Sequence, residues 1–116
     1  MRPRALIVVA VDAERDALGT QCLRAPHLQV IVAGIGRTNA AAATAEALAM
    51  AAAGGQPFGE VLSVGIAGVL PGGGCAIGDL VIATECVYSE EGIALPEGPA
   101  DMEALGFPLG DFRGNR

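Results

Sequence analysis

The sequence contains no lysine: its seven basic residues are all arginine, set against thirteen acidic ones, for a formal net charge of -6. A field of that sign repels polyanions and argues against nucleic acid as a partner. Aromatic residues make up only 3% of the chain. A core must therefore come from small aliphatic side chains packed around close backbone contacts, as in a parallel sheet covered by helices. Histidine occurs once, as His27 beside Pro26, and reads as a surface residue. Cys22, Cys75 and Cys86 are isolated, odd in number and without C-x-x-C spacing. That pattern argues against a disulfide framework or a structural zinc and fits a reducing cytosol. No cluster has ligand spacing, so neither a metal nor an organic cofactor is expected. Long apolar runs are missing too. Ala5 to Val11 ends in Asp12-Ala13-Glu14-Arg15-Asp16 with no convincing cleavage region, unlike a secretory leader. Ala40 to Ala53 is interrupted by Thr44 and Glu46 and is too short to span a bilayer. The expectation is a cytoplasmic protein without a membrane partner.

What is present is 116 residues, 52% of them apolar and 17 of them glycine, enough for one compact domain but short for a complete two-sided α/β enzyme. Ala5 to Val11 is a continuous run rich in β-branched residues, the pattern of a strand buried on both faces in a parallel sheet. Asp12 is placed to cap a helix after it. Leu28 to Ala33 gives a second strand, ending in Gly34-Ile35-Gly36. Thr38 or Asn39 can then cap an Ala-rich helix that stops at Gly54-Gly55. Glu60 to Val64 gives a third strand, Pro71 to Gly74 a loop, and Asp79 to Tyr88 a fourth strand. From Glu90 onward Gly, Pro and acidic residues leave no apolar period long enough to complete a sheet. The expected fold class is α/β with a mostly parallel central sheet, as one domain over 1–110 followed by a polar tail over 111–116.

In open α/β sheets ligands bind beyond the carboxyl ends of the strands. Three strand-end segments are therefore candidates. Glu14, shortly after the first strand, can reach a cleft as a general base; the alternative is that Asp12 and Glu14 only complement a helix N-terminus. Gly34-Ile35-Gly36 opens a helix and offers backbone N–H groups to an oxyanion or a sugar hydroxyl, or is simply a tight turn. It lacks the third glycine of a dinucleotide fingerprint and the G-K-[ST] of a P-loop. Gly65-Ile66-Ala67-Gly68 lets a flat ligand lie against bare backbone, or packs closely on a helix. Tyr88 and Glu90-Glu91 can line a site or lie in a solvated loop.

Taken in order, Val11 to Glu14, Gly34 to Ala41, Val64 to Gly68 and Ile77 to Ile82 leading into Tyr88 resemble the purine nucleosidase and phosphorylase superfamily, in its hydrolase branch, from Ala5 to Leu109. That resemblance implies a partial nucleoside phosphorylase-like three-layer fold and a small purine nucleoside as substrate. It implies Glu14 as the catalytic carboxylate, and Gly34, Ile66, Ala67, Gly68 and Tyr88 as substrate-binding residues. Phosphorylases of the superfamily usually hold phosphate with a Gly and an Arg where this chain has Ala10 and Glu14. A carboxylate there repels phosphate and favours hydrolysis. Cys86 to Ile93, Met102 and Gly106 to Leu109 look most like the futalosine hydrolase family of menaquinone biosynthesis, which releases hypoxanthine. The methylthioadenosine/adenosylhomocysteine nucleosidases more often carry His where this chain has Ser89, and a fragment of one of those, or a non-catalytic nucleoside-binding module, is the alternative. The resemblance also implies that the chain corresponds to an N-terminal half, that the Asp protonating the leaving purine lies in the other half, that activity alone is impaired, and that full-length members form homo-oligomers.

Overall fold

The computed structural model describes residues 2–87 and 90–107. They fall into two compact units, Met1–Gly74 and Cys75–Arg116.

The first unit is built on β1 (Ala5–Val9). This strand pairs in parallel with β2 (Leu28–Val32) on one side and β3 (Glu60–Ser63) on the other, giving the order β2-β1-β3. Ile7 lies level with Val30 and Leu62, and Val8 with Ile31 and Ser63. A strand flanked on both edges has no water to satisfy its backbone and no face left to polar side chains, so an unbroken apolar run is what such a position requires. All five residues of β1 are buried, Leu6 and Val9 completely. The outer strands admit polar residues: Gln29 in β2, Glu60 and Ser63 in β3. The expected α/β class with a parallel sheet is thus what the structure shows.

The connections differ in detail from the expectation. Between β1 and β2 the chain forms two short helices, α1 (Asp12–Ala17) and α2 (Gly19–Leu23). The break falls at Leu18, before Gly19 with its φ of 76°. Asp12 is not the cap of α1; Val11 holds that position with extended backbone, and Asp12 instead pairs with Arg15 at 2.8 Å. Likewise neither Thr38 nor Asn39 caps α3 (Arg37–Ala53), which begins directly after Gly36. The far end of α3 agrees with the sequence. Gln56 N–H donates to the Ala51 carbonyl at 2.9 Å and Gly55 N–H to that of Ala52 at 3.0 Å, closing the helix with Gly55 in the left-handed region at φ 71°.

At the amino end of the sheet Arg4, just before β1, reaches β2 and the segment that leads into β3. Its guanidinium donates to the Gln56 carbonyl and to Gln29 Oε1, and stacks 4.5 Å above the Phe58 ring.

In the second unit the expected strand from Asp79 to Tyr88 is absent over its described part, 79–87. Asp79 closes a turn instead: its Oδ2 accepts the Ala76 N–H at 2.8 Å while its own N–H donates to the Ala76 carbonyl at 3.2 Å. Leu80 and Ile82 remain about nine-tenths exposed, at 92% and 85%. An apolar run becomes a strand only when a neighbour completes its ladder, and among the described residues none pairs with these. Order appears where the sequence suggested only loop. β4 (Gly92–Leu95) and β5 (Gly98–Asp101) form an antiparallel hairpin around Pro96-Glu97, a two-residue connection that sets the register by itself.

The burial of β1 gives a direct test. Leu6→Ala should cost about 2–5 kcal/mol in a urea titration, and Gly55→Ala about 1–2 kcal/mol, because its φ disfavours any Cβ.

Candidate functional site

The order β2-β1-β3 means that the chain leaves β1 to one side and later crosses back to the other. Topological switch points of this kind generally open a crevice at the carboxyl ends of the central strand and its neighbour. Here those ends carry Ala10 and Val11 after β1 and Val64 to Gly68 after β3. Glu14 lies between them.

Its position follows from helix geometry. Glu14 is the third residue of α1, and side chains on a helix lean back toward its amino end. A glutamate there ordinarily reaches the backbone at the helix cap; this one reaches one residue further. Oε2 accepts the Ala10 N–H at 2.8 Å, and Oε1 accepts the Ile66 N–H at 3.2 Å across 52 residues of sequence. One carboxylate thus joins the loops after β1 and β3. The approach leaves no space for a side chain at residue 65: a Cβ on Gly65 would lie 2.6 Å from Glu14 Oε1.

The same donors set the charge. The Glu14 pKa is lowered, first by the Ala10 N–H and then by the Ile66 N–H, with partial desolvation opposing them and the Val11 N–H adding a smaller lowering. The neighbouring cation does not neutralise it. Arg15 is held by Asp12 at 2.8 Å and by Asp16 at 2.9 Å, an exposed arrangement that contributes little to stability. Glu14 is therefore ionised at neutral pH, with Oε2 accepting the Ala10 N–H and Oε1 the Ile66 N–H.

The other residues singled out in the sequence divide into three groups. Gly34 is drawn to the same end of the sheet, its N–H donating to the Ala10 carbonyl at 3.1 Å. Ile66 is brought to Glu14 through its backbone, while its side chain is 93% exposed. Ala67 and Gly68 continue that loop as exposed backbone, and nothing lies within 4 Å of where a Cβ on Gly68 would stand. Tyr88 lies outside the described residues. His27 sits at the opposite end of the sheet, where its carbonyl accepts the Ala5 N–H at 2.9 Å. Sequence reasoning missed Gly65 as the residue that admits the carboxylate and Ala10 as its principal donor. The available signal was a glutamate at the third position of a helix that follows a buried strand. Among the described residues no group of His, Cys, Asp and Glu could hold a metal ion, and no helix is long and apolar enough to cross a membrane.

The family model described as the phosphorylase superfamily matches residues 23–110. No curated protein and no solved structure matches the chain. The matched span begins after α1, so the geometry of Glu14 stands independently of it.

Because the folded-state pKa of Glu14 lies below the ordinary 4.5, the stability it contributes is complete above that value and is lost as pH falls through the lowered one. Glu14→Gln should therefore flatten the acid side of a plot of urea midpoint against pH between about 5 and 2. Gly65→Ala, which pushes the carboxylate off the Ile66 N–H, should flatten it in the same sense; a curve superimposable on the parent's would contradict the bridge.

Proposed function

The chain belongs to the phosphorylase superfamily, and from that premise we propose that it serves the hydrolytic cleavage of the N-glycosidic bond of a purine nucleoside of the futalosine type. Membership supports nucleoside glycosidic-bond cleavage in general. The choice of water over phosphate rests on one observation, the carboxylate of Glu14 fixed between the carboxyl ends of β1 and β3. A negative charge held in that crevice opposes entry of phosphate, a like-charged nucleophile, and accepts a hydrogen bond from water.

The lowered pKa shapes the role. A carboxylate pinned by two N–H groups is a weaker base than a free one, but it is ionised throughout the neutral range. Glycosidic cleavage passes through an oxocarbenium-like sugar, whose positive charge a fixed carboxylate stabilises while water is held for attack. The proton leaves water late, when the attacking oxygen has become acidic enough for a weak base to take it. Gly34 and the bare backbone of Ile66, Ala67 and Gly68 are the proposed contacts for sugar and base, and Tyr88 is proposed from the resemblance alone. The acid that protonates the departing purine is proposed to come from a further segment, as in the resembling enzymes. With futalosine as substrate the product is hypoxanthine and the setting menaquinone biosynthesis.

The same two hydrogen bonds favour a second reading, a non-catalytic nucleoside-binding module in which Glu14 only staples β1 to β3. One experiment separates them. Futalosine, aminodeoxyfutalosine and methylthioadenosine are incubated with the chain, with and without phosphate and with and without the C-terminal half of a related enzyme, and free purine is followed by chromatography. Phosphate-independent release that falls by about 10²- to 10⁴-fold in Glu14→Gln supports hydrolysis. Release that requires phosphate would refute it, and binding without release in every arm, unchanged by the substitution, would assign the module.

A further inference from the structure

The Ala10 N–H that holds Glu14 is itself held from behind. It shares a rigid, planar peptide unit with the Val9 carbonyl, and that carbonyl accepts the Ala33 N–H at 2.8 Å. The next peptide unit, through the Ala10 carbonyl, accepts the Gly34 N–H at 3.1 Å. Two consecutive peptide units at the end of β1 are thus pinned by Ala33 and Gly34, and their orientation decides where the Ala10 N–H points. Ala33 and Gly34 in turn enter the turn before α3. There Asn39, the third residue of α3, folds its side chain back so that Nδ2 donates to the Ile35 carbonyl at 2.8 Å. The same amide lies over Gly34, with Nδ2 3.2 Å from where a Cβ on that glycine would stand.

We propose that Asn39 is a positioning residue for the Glu14 carboxylate: it clamps the turn at Ile35, which fixes Ala33 and Gly34, which aim the Ala10 N–H at Oε2. The role rests on Glu14 being the working carboxylate of the site. Within the relay, the Ala33 N–H on the Val9 carbonyl also polarises the Ala10 N–H that shares its peptide, whereas Asn39 acts one peptide away and through orientation alone. The relay from Ile35 to Glu14 runs through backbone groups and the Asn39 amide, with Arg37 the charged residue nearest to it on α3. The charged residues on α1, Asp12, Arg15 and Asp16, pair with one another, and the groups that reach Glu14 from β1 and β3 are backbone N–H groups.

A purely structural role at the start of α3 would lower stability and leave Glu14 as it is. The test is an NMR titration of the Glu14 side-chain carboxyl in the full chain, the parent beside Asn39→Ala and Asn39→Leu, with Thr38→Ala as a control on the same turn. Both Asn39 variants are uncharged, so they act on Glu14 only through geometry; Leu keeps the size of Asn should the Ala variant fail to fold. The expected result is a Glu14 midpoint that rises toward the ordinary glutamate value in the Asn39 variants and stays at the parent's in Thr38→Ala. Where nucleoside turnover is measurable, kcat should fall by roughly ten- to a hundredfold with KM little changed. A Glu14 midpoint equal to the parent's in a folded Asn39 variant would overturn the proposal. A midpoint that moves while Glu14→Gln leaves turnover untouched would keep the positioning role and remove only the catalytic reading of Glu14.

Discussion

The first unit depends on the enclosure of β1 between two parallel neighbours. Leu6 and Val9 are fully buried, and the strand is paired along its length with β2 and over Ala5–Val8 with β3. That pairing fixes the relative height of all three strands, hence the height at which their loops emerge. Ala10, Gly34 and Ile66 reach the same end of the sheet because the parallel register sets Val9 level with Val32 and Val8 level with Ser63. Core and site are therefore one construction.

Glu14 shows what such a construction does to a functional group. Two backbone donors fix the position of its carboxylate and lower its pKa, which keeps it charged at neutral pH and makes it a weaker base. A mechanism that demanded a strong base would suffer from that environment. One that develops positive charge on a sugar gains from it, since the charge needs no reorganisation at the moment of reaction. The glycine at 65 belongs to the same arrangement, because a methyl group there would occupy the space of Oε1.

At its outer edge β3 is exposed along its whole described length, with Val61 and Leu62 each about half accessible at 46% and 45%. Among the described residues no strand pairs with this edge; unpaired edges invite further pairing, and β3 itself contains neither lysine nor proline. The second unit contains an apolar run of its own, 79–87, that joins no ladder among the described residues. Its hairpin forms instead at Gly92–Leu95 and Gly98–Asp101, where a two-residue turn supplies the partner locally.

Sequence by itself determined what local pattern and chain stiffness decide. The unbroken run from Ala5 declared a strand buried on both faces, the alanine-rich stretch declared a helix, and Gly54-Gly55 declared where it ends. The carboxylate at residue 14 was legible as a candidate because it follows such a strand. Its partners were not, since the Ile66 N–H lies 52 residues away and no periodicity encodes which backbone group will face it. For the same reason the run from Asp79 read as a strand and forms none over its described part, 79–87, while Thr38 or Asn39 read as a cap and the Asn39 amide instead donates to the Ile35 carbonyl. A side chain's propensity is written at its own position, but a ladder partner or a hydrogen-bond acceptor is supplied by another part of the chain, and only the tertiary structure decides which part arrives.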